Sequence, residues 1–133
     1  MRNEGVNFKS LAQFRYRLRV FVAFADASAK SAGLTSQQYQ ALLTIKGLSS
    51  QKAMYVGELA RLLLVKHHSV VELVDRLAKL KLLRRSVDAK DNRRVLVTLT
   101  AKGHRLVQKV AEINFKRLGS SNLKLSKMQK LLN

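Results

Sequence analysis

Residues 58–100 of this sequence combine two helix patterns, a short connection and two strand patterns in one continuous stretch. Over about residues 67–80, apolar side chains recur at i, i+3, i+4, i+7 and i+10 and so share one helix face: Val70, Leu73, Val74, Leu77 and Leu80. Residues 83–87 and 94–99 are typical of strands, and the sequence DAKDNR connects them. This order predicts a winged helix-turn-helix. In that fold the second helix fits a DNA major groove, and the basic hairpin tip reaches the phosphates or the minor groove.

The chain has 26 lysine and arginine residues against 8 aspartate and glutamate residues, a formal net charge of +18 in 133 residues. Because 47% of the residues are hydrophobic, the chain can build a core, and its charge does not indicate disorder. A compact protein with this imbalance repels itself, so a nucleic acid is the favoured partner. No apolar run approaches the roughly 20 residues that span a bilayer, and residues 1–10 lack the apolar core of a secretory signal. We therefore expect a cytoplasmic, nucleoid-associated protein with no membrane partner.

The pattern over residues 1–133 predicts a single mainly helical domain with a small antiparallel β-wing. A first helix over about residues 8–32, ended by Gly33, carries an apolar seam suited to packing against another helix: Leu11, Phe14, Leu18, Phe21 and Ala25. Thr35 and Gln38 form a T-x-x-Q capping box, which opens a second helix that ends at Gly47. Residues 54–56 are a possible strand, and residues 57–63 predict a third helix.

Beyond the hairpin, Thr100 is expected to cap a fifth helix with Leu106, Val107, Val110 and Ile113 on its apolar face. The sequence GSSN at 119–122 is expected to break this helix. A second capping box, S-x-x-Q from residue 126, predicts a short sixth helix.

Three segments resemble the MarR family of regulators: LTSQQYQALLTI, YVGELARLLLVKHHSVVELVDRLAKLKLLRR and DAKDNRRVLVTLTAKG. The resemblance covers about residues 8–118, and its most specific parts are LVDRL and the D-x-x-D-x-R-R-V-x-V-x-L-T hairpin followed by A-K-G. It implies a homodimer that binds pseudo-palindromic operators in double-stranded DNA, with about residues 8–32 and 101–133 as dimerisation helices and about 35–100 as the DNA-binding lobe. Unlike many family members, this chain has KHHSVVE at the start of the fourth helix.

The resemblance also implies which residues serve the dimer and a regulatory ligand. The expected dimerisation residues are Leu11, Phe14, Leu18, Phe21, Val110 and Ile113. A small aromatic effector can loosen DNA binding in the family, from a pocket between the dimer helices and the DNA-binding lobe. The aromatic candidates for that pocket are Phe14, Phe21, Tyr39 and Tyr55, although each is also a typical core residue.

The start of the fourth helix supplies the expected base contacts, because a recognition helix places its N-terminal residues against base edges. Histidine can donate to a purine N7, valine can contact a thymine methyl, and glutamate can accept from cytosine N4. The alternative for the histidine pair is that one caps the turn and the other is solvated. The candidates are Lys66, His67, His68, Ser69, Val71 and Glu72.

At the hairpin tip, Asp91 is expected to hold Arg93 or Arg94 in a bidentate pair that fixes the direction of the guanidinium. By resemblance, one of these two arginines enters the minor groove. Asp75 is expected to pair with Arg93 or Arg94, or alternatively with Lys79 in its own helix. The residues expected to contact phosphates are Arg84, Arg85 and Lys90.

The residues that most enzymes require are not grouped in this sequence, so an enzyme is not expected. There is no glycine-rich phosphate loop, and no cysteine for disulfides, thiolate metal sites or redox sensing. We expect neither a cofactor nor a metal.

The favoured hypothesis is a sequence-specific dimeric repressor released by a small ligand. The alternatives are a low-specificity basic chromosome-binding protein and a winged-helix protein-interaction module.

Overall fold

The computed structural model describes residues 5–51 and 53–120, which form five helices and three short strands. The helices are α1 (Phe8–Ser31), α2 (Ser36–Leu48), α3 (Val56–Leu63), α4 (His67–Lys79) and α5 (Ala101–Ser120). The strands are β1 (Met54–Tyr55), β2 (Leu83–Val87) and β3 (Val95–Leu99). This mainly helical architecture with a small antiparallel sheet confirms the predicted fold class.

The ends of α1 and α2 follow the local signals in the sequence. Gly33 has a φ of 81°, a left-handed conformation that suits glycine, and it lets the amide of Leu34 bond back to the carbonyl of Ala29 at 2.9 Å. At the start of α2, Gln38 N donates to Thr35 Oγ1 at 3.1 Å, and Thr35 N donates to Gln38 Oε1 at 2.9 Å. The predicted capping box is therefore confirmed.

The three strands form one antiparallel sheet in the order β1-β3-β2. β2 and β3 form the wing, with Leu83 opposite Leu99 and Val87 opposite Val95. Two boundaries at the sheet differ from the prediction. Val56 starts α3 instead of ending β1, and Arg94 lies in the wing turn, where its amide donates to Asp91 O at 3.0 Å.

One face of α4 is buried in the core, as the spacing of its apolar residues predicts: Val70, Leu73, Val74 and Leu77. Leu80 differs, because 43% of its surface is exposed. The helix ends at Lys79, and Lys81 then takes a positive φ of 60°. This turn places Leu82 in the core instead, with its amide bonded to the Leu77 carbonyl at 3.0 Å.

The first turn of α5 packs tightly against the turn that follows α4. The Thr100 hydroxyl accepts a bond from Gly103 N at 3.0 Å and donates to Lys81 O at 2.6 Å, so the predicted N-cap is confirmed. Gly103 lies so close to the chain that an added Cβ would come within 2.0 Å of the Leu82 carbonyl oxygen. Glycine is therefore required here by space and not by an unusual φ.

The terminal helices differ in how much of their apolar surface the chain covers itself. In α1 only Ala29 is buried, and Leu11 and Leu18 are 45% and 37% exposed. In α5, Val107 and Val110 are completely buried. The assignment of Val110 to a dimer surface was therefore wrong, because its side chain is in the core of its own chain. The α5 helix continues through Gly119 to Ser120; the remainder of the predicted break and the sixth helix lie outside the described residues.

We predict that Gly103→Ala lowers the free energy of unfolding by about 1–3 kcal/mol or more, since backbone must move to admit the new methyl group. Gly119→Ala is the matched control in the same helix. No atom lies within 4 Å of its added Cβ, so better helix propensity should leave stability unchanged or raise it by about 0.5 kcal/mol. Urea unfolding at one fixed protein concentration would measure both, and equal stability of the two variants would contradict the steric account.

Candidate nucleic-acid interface

The exposed face of α4 and the tip of the wing border the same cleft. This cleft has a volume of about 270 Å³ and is lined by His67, Val71 and Asp75 of α4 and by Arg85, Arg93 and Arg94 of the wing. Tyr55 and Gly57 complete its edge. The cleft therefore brings together five of the eleven residues that the sequence singled out for DNA: His67, Val71, Arg85, Arg93 and Arg94.

The predicted base-contacting residues at the start of α4 are all exposed: Lys66, His67, His68, Ser69, Val71 and Glu72. Lys66 occupies the N-cap position and its side chain makes no capping hydrogen bond. The alternative that a histidine caps this helix was therefore wrong. Both imidazoles are at the surface of the first turn, where a recognition helix contacts base edges.

Asp75 forms an ion pair with Arg85 of β2. The expectation that it pairs with Arg93, Arg94 or Lys79 was wrong. The reason is the strand register, because Arg85 is opposite the buried Val97 and points from the wing towards α4. Both side chains of the pair are partly exposed, so the pair adds little stability. Its effect is to connect the wing base with the helix and to fix the direction of Arg85.

At the wing tip, Asp91 holds Arg93 in the bidentate arrangement that the sequence predicted. Arg93 Nε lies 3.1 Å from Asp91 Oδ1, and Arg93 Nη2 lies 3.3 Å from Asp91 Oδ2. The Arg93 amide also donates to Asp91 Oδ1 at 3.1 Å. Because the Arg93 side chain remains 87% exposed, the pair orients the guanidinium without burying it. Arg84 and Lys90 are also exposed on the wing.

Arg94 has a different environment that the sequence did not reveal. Its guanidinium carbon lies 3.6 Å from the centroid of the Tyr55 ring, a cation–π contact. The Tyr55 hydroxyl donates to Asp88 Oδ2 at 2.7 Å, and Asp88 Oδ1 accepts from the Lys90 amide at 3.1 Å. Only the pairing of β1 with β3, which places Tyr55 opposite Leu96, brings these three side chains together.

The carboxylates of the wing are stabilised in their charged form. The Tyr55 hydroxyl holds the pKa of Asp88 below its ordinary value, with further contributions from the Lys90 amide and the charge of Arg94. The same hydrogen bond raises the pKa of Tyr55. Hydrogen bonds from the Arg93 side chain and amide lower the pKa of Asp91. The wing tip therefore keeps its ion pair and its hydrogen bonds at neutral pH.

The four aromatic candidates for an effector pocket do not converge. Phe21 and Tyr39 line an apolar groove of about 460 Å³ between α1, α2 and α5, together with Asn114 and Phe115. Tyr55 is at the wing cleft instead, so its assignment to the same pocket was wrong. Phe14 is half-buried on α1 and lies about two helical turns before Phe21, the first residue of that helix to line the groove.

Asn114 is a groove residue that the sequence reading missed. It is 6% exposed, and its Oδ1 atom has no hydrogen-bond partner among the described residues. A polar residue among the apolar positions Val107, Val110 and Ile113 was the available signal. An unsatisfied carbonyl beside an apolar groove favours a ligand that carries a hydrogen-bond donor.

Among residues 5–51 and 53–120, no three histidine or acidic side chains come close enough together to hold a metal ion. The described helices also include none with the length and hydropathy needed to cross a membrane.

The helix-turn-helix, the three-stranded sheet and the arginine-tipped hairpin together define a winged helix-turn-helix protein. Residues 32–94 match the sequence profile of the MarR family. The matched segment runs from the end of α1 to the wing turn, and nearly the whole chain resembles solved MarR-type structures in fold. No curated protein matches the sequence.

Three solved structures illustrate the likeness. A mutant of S. aureus MepR, bound to an oligodeoxyribonucleotide, has a TM-score of 0.66 and 23% identity, covering 93% of this chain and 92% of that one. AbsC from Streptomyces coelicolor, a MarR family transcriptional regulator, has a TM-score of 0.74 and 19% identity, covering 98% and 94%. Wild-type MarR from E. coli in its apo form has a TM-score of 0.73 and 18% identity, covering 97% and 96%. At these identities the likeness shows the fold.

We predict that Tyr55→Phe raises the pKa of Asp88 towards its ordinary value of 3.8, because the variant loses the hydrogen bond that contributes most to the shift. Since the pKa of Asp88 is lowered by folding, this bond stabilises the fold above the unfolded pKa, and its contribution is lost as the pH falls through the folded value. Carboxyl ¹³C NMR across acidic pH would follow the titration. Asp91 is the internal control and should keep its lowered pKa; equal Asp88 titrations in both proteins would contradict the assignment.

Proposed function

We propose that this protein is a sequence-specific DNA-binding transcriptional regulator that acts as a homodimer on pseudo-palindromic operators. The observation that carries the proposal is the shared cleft, where the exposed start of α4 and the arginines of the wing face the same side. In winged helix-turn-helix proteins that arrangement lets the second helix enter a major groove while the wing contacts the adjacent backbone or minor groove. The MepR mutant similar to this chain is bound to an oligodeoxyribonucleotide.

The proposed base contacts come from the first turns of α4, through His67, His68, Ser69, Val71 and Glu72. Glu72 is unusual beside a polyanion, because it is repelled by phosphates unless it accepts a hydrogen bond from a base amino group such as cytosine N4. It therefore contributes to specificity by disfavouring sites that lack such a donor.

The proposed backbone contacts come from the cationic residues that flank this helix: Lys66, Arg84, Arg85 and Lys90. Arg93 is the proposed minor-groove residue, since it is held by Asp91 and remains exposed at the tip. A narrow minor groove concentrates negative potential, so an arginine there reads DNA shape and not base identity.

The proposed homodimer rests on the apolar surface that a single chain leaves uncovered. Exposed apolar side chains are numerous on α1, where Phe8, Leu11, Leu18 and Val22 share one side of the helix by their spacing, and two more lie on α5, whereas globular monomers expose few large apolar patches. A second copy that covers both helices would also place two recognition helices for two half-sites about one DNA turn apart. The exposed residues are Phe8, Leu11, Tyr16, Leu18, Val20 and Val22 of α1 and Ile113 and Phe115 of α5.

The groove between α1, α2 and α5 is the proposed site for a small effector. It joins the proposed dimerisation helices to the DNA-binding lobe, so a bound molecule there can change the distance between the two recognition helices. Its apolar lining and the unpartnered Asn114 carbonyl fit an aromatic molecule with a hydroxyl or amine donor. The proposed regulator is a cytoplasmic repressor, and binding of such a ligand would release it from its operator.

A second candidate function is low-specificity binding along the chromosome. The net charge of +18 favours it, since charge alone supplies most non-specific DNA affinity. The two functions differ in competition experiments. An operator-specific regulator binds its own site about 10³-fold or more tightly than random DNA at physiological salt, whereas a chromosome-coating protein binds both alike. A winged-helix module that contacts proteins instead would show no salt-sensitive DNA binding.

We predict that Arg93→Ala weakens binding to a duplex selected by the parent protein from a random pool by about 1–3 kcal/mol. The variant loses a cation that reaches DNA, whereas Arg105→Ala removes an equal charge from the exposed surface of α5 and serves as the matched control. Fluorescence anisotropy at fixed salt would measure both affinities.

The same titration repeated across salt concentrations tests the proposed function itself. If a dimer neutralises about eight phosphates, log K should fall against log salt with a slope near −7. Failure of the parent to select any sequence over random DNA would overturn the operator-specific proposal. Equal affinities of parent and Arg93→Ala would remove the wing tip from the interface.

We predict that the double variant Leu11→Glu and Leu18→Glu is monomeric at concentrations where the parent has twice the mass of one chain. Two carboxylates on the proposed α1 interface would lose solvation without gaining partners. Leu48→Glu, at an exposed position on α2, is the control and should remain dimeric. Light scattering after size exclusion would measure the masses, and a monomeric parent protein would contradict the proposed homodimer.

A further inference from the structure

We propose that Tyr55, Asp88 and Arg94 form a clamp that holds the wing turn against β1 and thereby positions Arg93 for DNA. We call these three residues the Tyr55 clamp. The inference deepens the proposed function, on which its DNA-facing part rests. It makes Tyr55 and Asp88 positioning residues, although neither belongs to the recognition helix or to the exposed wing tip.

The clamp connects both ends of the wing turn to one side chain of β1. At the start of the turn, the Tyr55 hydroxyl donates to Asp88 Oδ2 at 2.7 Å. At its end, Arg94 covers the Tyr55 ring, with its guanidinium carbon 3.6 Å from the centroid. The backbone closes the same loop, because the amide of Asp88 donates to the Arg94 carbonyl at 3.0 Å. Residues 88 and 94 are therefore fixed to each other and to Tyr55.

Arg93 lies between these fixed points and is positioned by them. The amide of Arg94 donates to Asp91 O at 3.0 Å, and the Asp91 carboxylate holds the Arg93 guanidinium. Movement of the turn would thus move Asp91 and Arg93 together. Since Arg93 is 87% exposed, its own side chain makes too few contacts to set its position, and the turn has to do so.

The two adjacent arginines consequently have different roles. The guanidinium of Arg94 stacks on the Tyr55 ring, whereas the guanidinium of Arg93 is hydrogen-bonded to the Asp91 carboxylate and exposed to solvent. A guanidinium that already stacks on a ring is less available to enter a DNA minor groove than one that is exposed and oriented. This assigns the minor groove to Arg93 and the anchoring of the wing to Arg94.

Tyrosine supplies both halves of the clamp at position 55. Its ring provides the surface for Arg94, and its hydroxyl provides the donor for Asp88. Phenylalanine keeps the first contact and loses the second, while leucine loses both. The raised pKa of Tyr55 and the lowered pKa of Asp88 agree with a hydrogen bond from a neutral phenol to a charged carboxylate.

The test compares the variants Tyr55→Phe, Tyr55→Leu, Arg94→Ala and the double variant Tyr55→Leu with Arg94→Ala. The probe is a fluorescein-labelled duplex of about 25 base pairs, enough for two half-sites one turn apart, selected by the parent from a random pool. Arg105→Ala again controls for loss of charge. Thermal unfolding of each variant confirms that it is folded at the temperature of the binding assay.

Without DNA, the ring of Tyr55 should shift the proton resonances of the Arg94 side chain upfield. The shift should persist in Tyr55→Phe and vanish in Tyr55→Leu. Heteronuclear ¹H–¹⁵N NOE values for Lys90 and Asn92 should fall in Tyr55→Leu, because the wing turn is released. Unchanged NOE values in that variant would overturn the ordering role of the clamp.

With DNA, we expect Tyr55→Phe to weaken binding about two- to fivefold, as for one hydrogen bond, and Tyr55→Leu about three- to tenfold, as the ring contact is lost as well. The double variant should bind no more weakly than Tyr55→Leu alone, within about twofold, because Tyr55→Leu already removes the ring contact through which Arg94 acts. The slope of log K against log salt should remain that of the parent, since neither Tyr55 nor Arg94 contacts a DNA phosphate in this proposal. Preference for narrow-groove A-tract flanks over G·C flanks should decrease in every clamp variant.

Two DNA-binding results would also overturn the inference while leaving the proposed function intact. One is that the parent binds DNA and that the Tyr55→Phe and Tyr55→Leu variants bind it with the same affinity. The other is a salt slope that falls by about 1 in Arg94→Ala with additive effects in the double variant, which would make Arg94 a direct phosphate contact. A parent with no salt-dependent DNA binding would instead overturn the proposed function, and with it the role given to Arg93.

Discussion

Burial of one face of α4 determines what the rest of this molecule can do. Val70, Leu73, Val74 and Leu77 pack into the core, so the helix cannot rotate without exposing them to water. The opposite face, with His68, Val71 and Glu72, is then held outward. Because Asp75 on the edge of this face pairs with Arg85, the wing is fixed relative to the helix as well. The proposed DNA surface follows from packing beneath it.

The features predicted correctly from sequence are those determined by neighbours along the chain. The capping box of Thr35 and Gln38, the N-cap Thr100 and the pair of Asp91 with Arg93 each span three residues or fewer. Such local contacts depend on little beyond the backbone conformation that they stabilise. The buried face of α4 was also predictable, since helical periodicity alone specifies it.

The errors arose where the partner is distant in sequence. Asp75 meets Arg85 only because of how β2 aligns with β3, and Tyr55 meets Arg94 only because β1 adds to the sheet beside β3. The short strand at Tyr55 was predicted, but two residues carry no signal for the strand with which they pair, so neither the neighbours of Tyr55 nor its distance from the α1 groove was predictable. Val110 was assigned to the wrong surface. Periodicity shows that a residue lies on the apolar face of a helix, but it does not show whether that face packs against its own chain or against a second copy.

Gly103 shows how close packing restricts change at one position. Glycine is the only amino acid without a Cβ, and any added carbon here would meet the carbonyl oxygen of Leu82. No amino-acid substitution at this site is therefore conservative, however similar the new residue is in polarity. A lineage could replace this glycine only by first separating the start of α5 from the end of α4, and that separation would tilt the wing that lies between them in the chain.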